Sequence, residues 1–328
     1  MGLWHTRLRV DPLPALLGAR DVALEYWVRR DLLEGDAGPV ARLWQLPEPR
    51  KIFKKQQPDG SWLFHGKDKS SRDRRLVETW RQFRILVDKF GFDRAHPLTA
   101  KAAEFLFSCQ SEAGDLRGFI ANQYATYYTG ALLSVLIRAG FENDPRVETG
   151  LRWLLSMRQD DGGWSVPILT HHFDGATMYR LTSRYEEPVE PVRSQPFSHS
   201  ATGMVLRAFA AHSSYRTSEA ARTAAILLKS RFFQPDSYTS YRAASYWVRF
   251  QYPFWWNNLV AALDSISLID PHMDSQMEKA LGWLIDHQEA DGLWKATYVA
   301  GKEVDSAQTR ETRPWVSLAI CRVLARLG

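Results

Sequence analysis

Two kinds of apolar pattern alternate along the chain, and the difference between them predicts where each helix lies. The first follows the three-and-four spacing of a helix with one apolar face. Asp144-Pro145 opens such a segment, with Val147, Leu151, Leu154 and Leu155 on one side, and Asp270-Pro271 opens another with Met273, Met277, Leu281, Leu284 and Ile285. His96-Pro97 opens a third, running through Ala103, Leu106 and Phe107 to Gln110. Proline suits a first helical position because the amide it lacks would have no partner there. The second kind is apolar nearly all round: Val22 to Leu33, Trp80 to Phe90, Tyr124 to Ala139, Ala201 to Ala211, Asn257 to Leu268 and Trp315 to Leu327. Helices of that kind are buried on most sides. Gly91, Gly140 and Gly328 follow three of them, at the place where a left-handed residue ends a helix.

A recurring phrase stands between the two kinds: Gln57-Pro-Asp-Gly-Ser-Trp62, Gln110-Ser-Glu-Ala-Gly-Asp115, Gln159-Asp-Asp-Gly-Gly-Trp164 and Gln288-Glu-Ala-Asp-Gly-Leu-Trp294. Its chemistry is structural. The glycines allow a tight turn with positive φ, the glutamine amide can bond groups exposed at a helix end, and the tryptophan packs back on the helix pair. A degenerate fifth unit, Glu219 to Phe233 followed by Phe233-Gln-Pro-Asp236, fills the gap before the last phrase. A repeat of this kind predicts an all-α fold, an α/α toroid of two concentric layers with about 11–12 helices, the buried kind forming the inner wall. The repeats run from end to end without a polar linker, so residues 1–328 read as one domain. Residues 165–198 depart from the repeat, with Pro167, Pro188, Pro191 and Pro196 and a run of acidic residues, and read as a long insertion, a lid or an active-site wall.

These phrases at helix ends resemble the repeats of the terpenoid cyclase and protein prenyltransferase superfamily, in squalene-hopene cyclase fashion, over roughly Ala23 to Leu327. The resemblance implies an α/α toroid and an isoprenoid-handling enzyme, and it carries no catalytic residue across. The Asp-x-Asp-Asp acid motif of class II cyclases and the Asp-Asp-x-x-Asp motif are both absent, and the Tyr124 to Thr129 stretch lacks the Asp and Cys that hold zinc in prenyltransferases. No cofactor is expected.

Composition bounds the class. With 328 residues, 45% apolar, and 13 tryptophans the chain can bury a large core. The net charge of +5 is modest, but Arg50, Lys51, Lys54, Lys55, Lys67, Lys69, Arg72, Arg74 and Arg75 cluster around the first turn unit, where an anionic group could bind. No nucleic-acid motif accompanies them. Two cysteines, Cys109 and Cys321, give no disulfide framework, and neither a signal-peptide core nor a membrane-length apolar run is present. The expectation is a cytoplasmic protein without a transmembrane segment, peripheral membrane contact remaining open.

If the inner helices all start at one end, their N-terminal residues converge on a central cavity. Those positions supply the candidate substrate-binding residues Trp80, Tyr124, Tyr127, Tyr128, Trp255, Trp256, Asn257, Arg313 and Trp315, an aromatic set able to stabilise a cation or stack on a sugar. Asp174 and His199 are the candidate proton-transfer residues. His171, His172, Asp174 and His199 are of metal-ligating type, in a spacing that matches no metal motif. Two other classes fit the same toroid: a polysaccharide lyase or glycosidase, with Asn257 or Arg313 neutralising a uronate, and a non-catalytic binding or scaffold protein.

Overall fold

The computed structural model describes residues 3–66, 71–183, 186–238, 242–297 and 306–328. Among them are thirteen α-helices and no strand: α1 Leu13–Leu17, α2 Val22–Asp31, α3 Pro47–Phe53, α4 Arg72–Phe90, α5 Pro97–Ser108, α6 Thr126–Leu136, α7 Pro145–Ser156, α8 Gly175–Ser183, α9 His199–Ala211, α10 Glu219–Ser230, α11 Leu259–Ile269, α12 Ser275–Asp286 and α13 Ala307–Leu327. Helix α2 packs on α4, α4 on α6, α6 on α9, α9 on α11, α11 on α13 and α13 back on α2, which closes a ring. These helices fall on the segments that the sequence marks as apolar nearly all round, although α4 and α13 each begin with a polar stretch, from Arg72 and from Ala307, that the sequence pattern leaves out. The one-sided helices α5, α7, α10 and α12 lie outside them, α5 against α4, α7 against α6, and α10 against α9 and α11. The result is the α/α toroid that the alternation predicts.

Each turn unit solves the same problem, the unpaired groups where an outer helix ends and the chain turns inward. Gly60, Gly114, Gly162 and Gly292 sit at φ between 85° and 111°, open only to glycine at low cost. A Cβ on Gly60 would stand 2.2 Å from the Lys101 carbonyl oxygen, so space forbids one as well. Two residues on, the indole N–H of Trp62, Trp164 and Trp294 donates to the carbonyl of Ile52, Leu154 and Leu284, each in the last turn of the preceding helix. The backbone N–H of Trp62, Leu116, Trp164 and Trp294 donates to the side chain of Thr79, Thr129, Thr202 and Ser317 on the next inner helix. Leu116 fills the tryptophan position of the second unit.

The structure shifts the register of two phrases. Gln110 and Gln288 donate to the carbonyls of Gly114 and Gly292 four residues on, and also to Arg146 and Val10 at the next outer element. The equivalent residue of the first unit is Gln56, bonded to Gly60 and Leu98, and not Gln57. In the third it is Arg158, whose Nε donates to Gly162, while Gln159 reaches Val192 and Gln195 at the end of the 165–198 segment. One helix start also moves. Pro271 does not open α12, because the carboxylate of Asp274 accepts the amides of Gln276 and Met277 and begins the helix at Ser275. Asp270 and Asp274 both receive the buried Lys229 of α10.

Helices α6 and α9 pack closely along their length. Gly130 allows it, since a Cβ there would lie 2.5 Å from Val205 Cα. Backbone cannot yield as a side chain does, so Gly130→Ala is expected to destabilise the protein by about 2 kcal/mol in urea unfolding, although alanine is the better helix former. A gain in stability would show that the helices are further apart.

Candidate functional site

Towards the N-terminal ends of the inner helices the ring is closed by its own chain. The segment before α11 turns inward, and its rings pack on those of the wall: Trp80 to Trp255 at 4.5 Å, Trp80 to Tyr128 at 5.4 Å, Trp255 to Trp256 at 6.1 Å and Tyr128 to Phe119 at 3.9 Å between centroids. Two arginines of the inner wall hold the backbone of this plug. Arg84 of α4 donates to the Phe254 carbonyl at 2.8 Å, and Arg207 of α9 donates to the same oxygen at 3.2 Å and to those of Trp255 and Trp256. Arg84 also lies over the Trp80 and Trp255 rings, at 5.0 and 4.7 Å.

The larger cavity therefore opens at the opposite end from that expected. Its volume is about 760 Å³, and the inner helices line it with their C-terminal halves. Helix C-termini carry partial negative charge, which suits the arginines gathered there. Most are paired: Arg138 with Asp88 at 2.9 Å, Arg322 with Asp31 at 2.5 Å and Arg326 with Asp264 at 2.5 Å. Arg84 and Arg207, on its floor, have no carboxylate partner among the described residues. Burial is the main reason that Arg84 falls to about 10 and Arg207 to about 9, the repulsion of Arg84 adding to the latter. Both remain charged at neutral pH. The signal in the sequence is one-sided: Arg207 is the single charged residue of Ala201 to Ala211, whereas Arg84 stands among Arg81, Asp88 and Lys89 in Trp80 to Phe90.

A second, smaller chamber of about 180 Å³ lies at the N-terminal end, on the other side of the plug. Val166, Ile168, Leu169, Met178 and Thr182 of the 165–198 segment form one side, and Ala201 and Met204 of α9 with Tyr127, Trp256 and Asn257 form the other. Asn257 Nδ2 donates to the His199 carbonyl at 3.0 Å, and its amide fills the space left by Gly203.

The structure brings together some candidate residues and separates the rest. Trp80, Tyr128, Trp255 and Trp256 belong to the plug, and Tyr127, Trp256 and Asn257 to the small chamber. Tyr124 packs instead on Trp153, with the Arg117 guanidinium over its ring. Arg313 is held in a two-pronged pair by Asp291 of the last turn unit, both contacts 2.6 Å. Trp315 closes the ring, donating its indole N–H to Asp21, the cap of α2, and stacking on Tyr252. Asp174 is exposed and caps α8 by accepting the Thr177 amide, which holds its carboxyl below the usual range. His199 is buried and stacked on Trp247, with Nε2 3.6 Å from Asp236, and burial lowers it to about 4. His171, which stacks on Phe173, and His172 do not assemble with them: among the described residues no three His, Cys, Asp or Glu are placed to hold a metal ion. In the basic region Arg75 pairs with Asp59, Lys51 and Lys55 line a cavity of about 430 Å³ beside Phe64 and Glu78, and Lys67 and Lys69 lie outside the described residues. No described helix is long and apolar enough to cross a membrane.

No protein-family model and no curated protein matches the chain. Among solved structures it is similar to a protein from Actinoplanes, 14% identical, with 88% of this chain and 97% of that one covered and a TM-score of 0.31. It is also similar to the type II terpene cyclase MstE from Scytonema, 12% identical, with 97% and 98% covered and a TM-score of 0.33. A variant of that enzyme in complex with its substrate geranylgeranyl dihydroxybenzoate is 11% identical over 96% and 98%, with a TM-score of 0.37.

Proposed function

We propose that the chain handles an isoprenoid, as a relative of terpenoid cyclases and prenyltransferases, and seats the apolar tail in the chamber beneath residues 165–198. The observation that supports this reading is the lining: branched and thioether side chains on both sides, with the Tyr127 and Trp256 rings at the wall and few polar groups to orient a ligand. At about 180 Å³ the chamber is a little larger than an engineered apolar cavity of about 150 Å³ that takes up benzene, so it suits roughly one or two isoprene units. The 165–198 segment acts as the lid. In this reading Asp174 stabilises the lid helix α8 and His199 the wall behind the chamber, and proton transfer, where it occurs, falls to Tyr127 or Tyr246, the titratable groups of the lining besides Arg249.

Calorimetric titration with geraniol tests the proposal. Binding is expected, and Thr182→Trp, which fills the chamber from the partly exposed lid, is expected to weaken it about tenfold or more at unchanged melting temperature. Absence of binding, or full affinity in the variant, would refute it. The close packing of Trp80, Tyr128, Trp255 and Trp256 favours a second reading, a binding protein without catalysis. Incubation with geranyl diphosphate separates the two: a new product on chromatography supports the enzyme, unchanged substrate the binding protein.

A further inference from the structure

The plug leaves N–H donors without acceptors. Trp80 Nε1, Trp255 Nε1, Arg84 Nε and Arg207 Nε are all buried and find no acceptor among the described protein atoms. Three of the four residues, Trp80, Arg84 and Arg207, line the large cavity. Buried unpaired donors of this kind are uncommon in folded proteins, and here four of them belong to the plug and to the two arginines that hold it. The two guanidiniums converge on one carbonyl oxygen, that of Phe254, which cannot neutralise either. The carboxylates that could do so are committed elsewhere: Asp88 to Arg138, Asp264 to Arg326 and Asp31 to Arg322. Arg84 and Arg207 are each only 7% exposed, so solvent screens their charge poorly.

We infer that the floor of the large cavity, between Arg84 and Arg207, is a binding site for the oxyanion head of an organic acid, a carboxylate or a phosphate ester. Guanidinium forks match both headgroups, and the Trp80 indole adds a neutral donor. The rest of the cavity fits an organic body rather than a bare ion. It has about 760 Å³, within the range of small-molecule sites, and Tyr26, Trp27, Phe92, Tyr252 and Phe254 contribute rings to its wall. This site is separate from the apolar chamber and does not depend on what that chamber holds.

The experiment uses the full chain and three probes of one shape: benzoate, phenyl phosphate and the neutral benzamide. At low salt one or both anions are expected to bind with Kd of about 1 mM or tighter, to bind more weakly as salt is raised, and to outbind benzamide by about tenfold or more. Tighter benzoate assigns a carboxylate, and tighter phenyl phosphate a phosphate. Arg84→Gln and Arg207→Gln should each lower the affinity about tenfold, whereas Arg138→Gln, whose guanidinium is already paired with Asp88, should change it by less than about threefold. Because the first two arginines also hold the plug, the position is read independently in crystals of the unaltered protein soaked with 4-bromobenzoate. Bromine density in the large cavity with the carboxylate on Arg84 and Arg207 supports the site. No binding of either anion, binding equal to that of benzamide, or bromine elsewhere overturns it.

Discussion

Trp164→Ala is expected to lower the folding free energy by about 4 kcal/mol, seen as a lower urea midpoint with the slope unchanged. Three losses combine. The indole is fully buried in the core beside Phe209, so its removal leaves a cavity that the helices on either side cannot close. Its N–H bond of 2.6 Å to Leu154 disappears, and that last-turn carbonyl keeps only the tightened bond from Met157. The turn also loses the ring that packs it back between α7 and α9. Trp164→Leu separates these terms, because Leu116 occupies the equivalent place in the second unit without an indole N–H. The leucine variant should recover roughly half of the loss; recovery of all of it would mean that the indole bond contributes nothing.

The same residues show how much of the molecule was legible in the sequence. Periodicity and composition mark α6, α9 and α11 as inner helices because each touches neighbours on nearly every side, whereas α4, which opens with Arg72, Asp73, Arg74 and Arg75, is as polar in sequence as an outer helix. The turn phrases were legible for a similar reason, since only glycine tolerates φ near 90° against a neighbouring backbone. Their register was less so. Gln56 and Gln57 are adjacent and chemically identical, and only the four-residue reach to Gly60 tells them apart. The hydroxyls of Thr79, Thr129, Thr202 and Ser317 are not legible in the sequence because single threonines and serines in a helix are common, and their common task is visible only when the units are superposed.

The site was read less well, for a definite physical reason. Convergence of inner-helix N-termini is sound geometry, but the sequence reads Trp255 and Trp256 as lining that space, whereas Trp255 fills it and Trp256 both packs in the plug and borders the small chamber. Whether an aromatic side chain borders a void or occupies it depends on where the preceding loop goes, and that is fixed by Arg84 and Arg207 from two other helices. The cavity consequently moved to the C-terminal ends, and the apolar chamber came to lie under the segment that the prolines had marked as exceptional. Asp174 and His199 attracted attention as titratable groups near that segment, yet their surroundings differ: one is solvated at a helix cap and the other is enclosed by rings.

For His199 that enclosure has a consequence in pH. The imidazole is 4% exposed, stacked on Trp247 at 4.5 Å, and burial lowers it from 6.5 to about 4, against the opposing pull of Asp236 and with a smaller contribution from Arg231. Asp236 cannot come closer as a full partner because its Oδ2 already accepts the Ser198 hydroxyl and the Ser200 amide at the start of α9. Between pH 6.5 and 4 the unfolded chain therefore carries a proton at this position that the folded chain does not. Stability is complete above pH 6.5 and falls as the solution is acidified, by about 1.4 kcal/mol per pH unit in that window and about 3 kcal/mol across it. Urea unfolding of the unaltered protein and of His199→Gln at several pH values isolates the contribution of His199 together with its neighbour Asp236, since the remaining carboxylates and histidines keep their surroundings in both. The glutamine variant should lose less on acidification, so that the stability difference between the two proteins shifts in the variant's favour by about 3 kcal/mol from pH 6.5 to pH 4. Parallel curves would show that the imidazole reaches its proton in the folded state, through an opening of the Trp247 stack that admits water to α9.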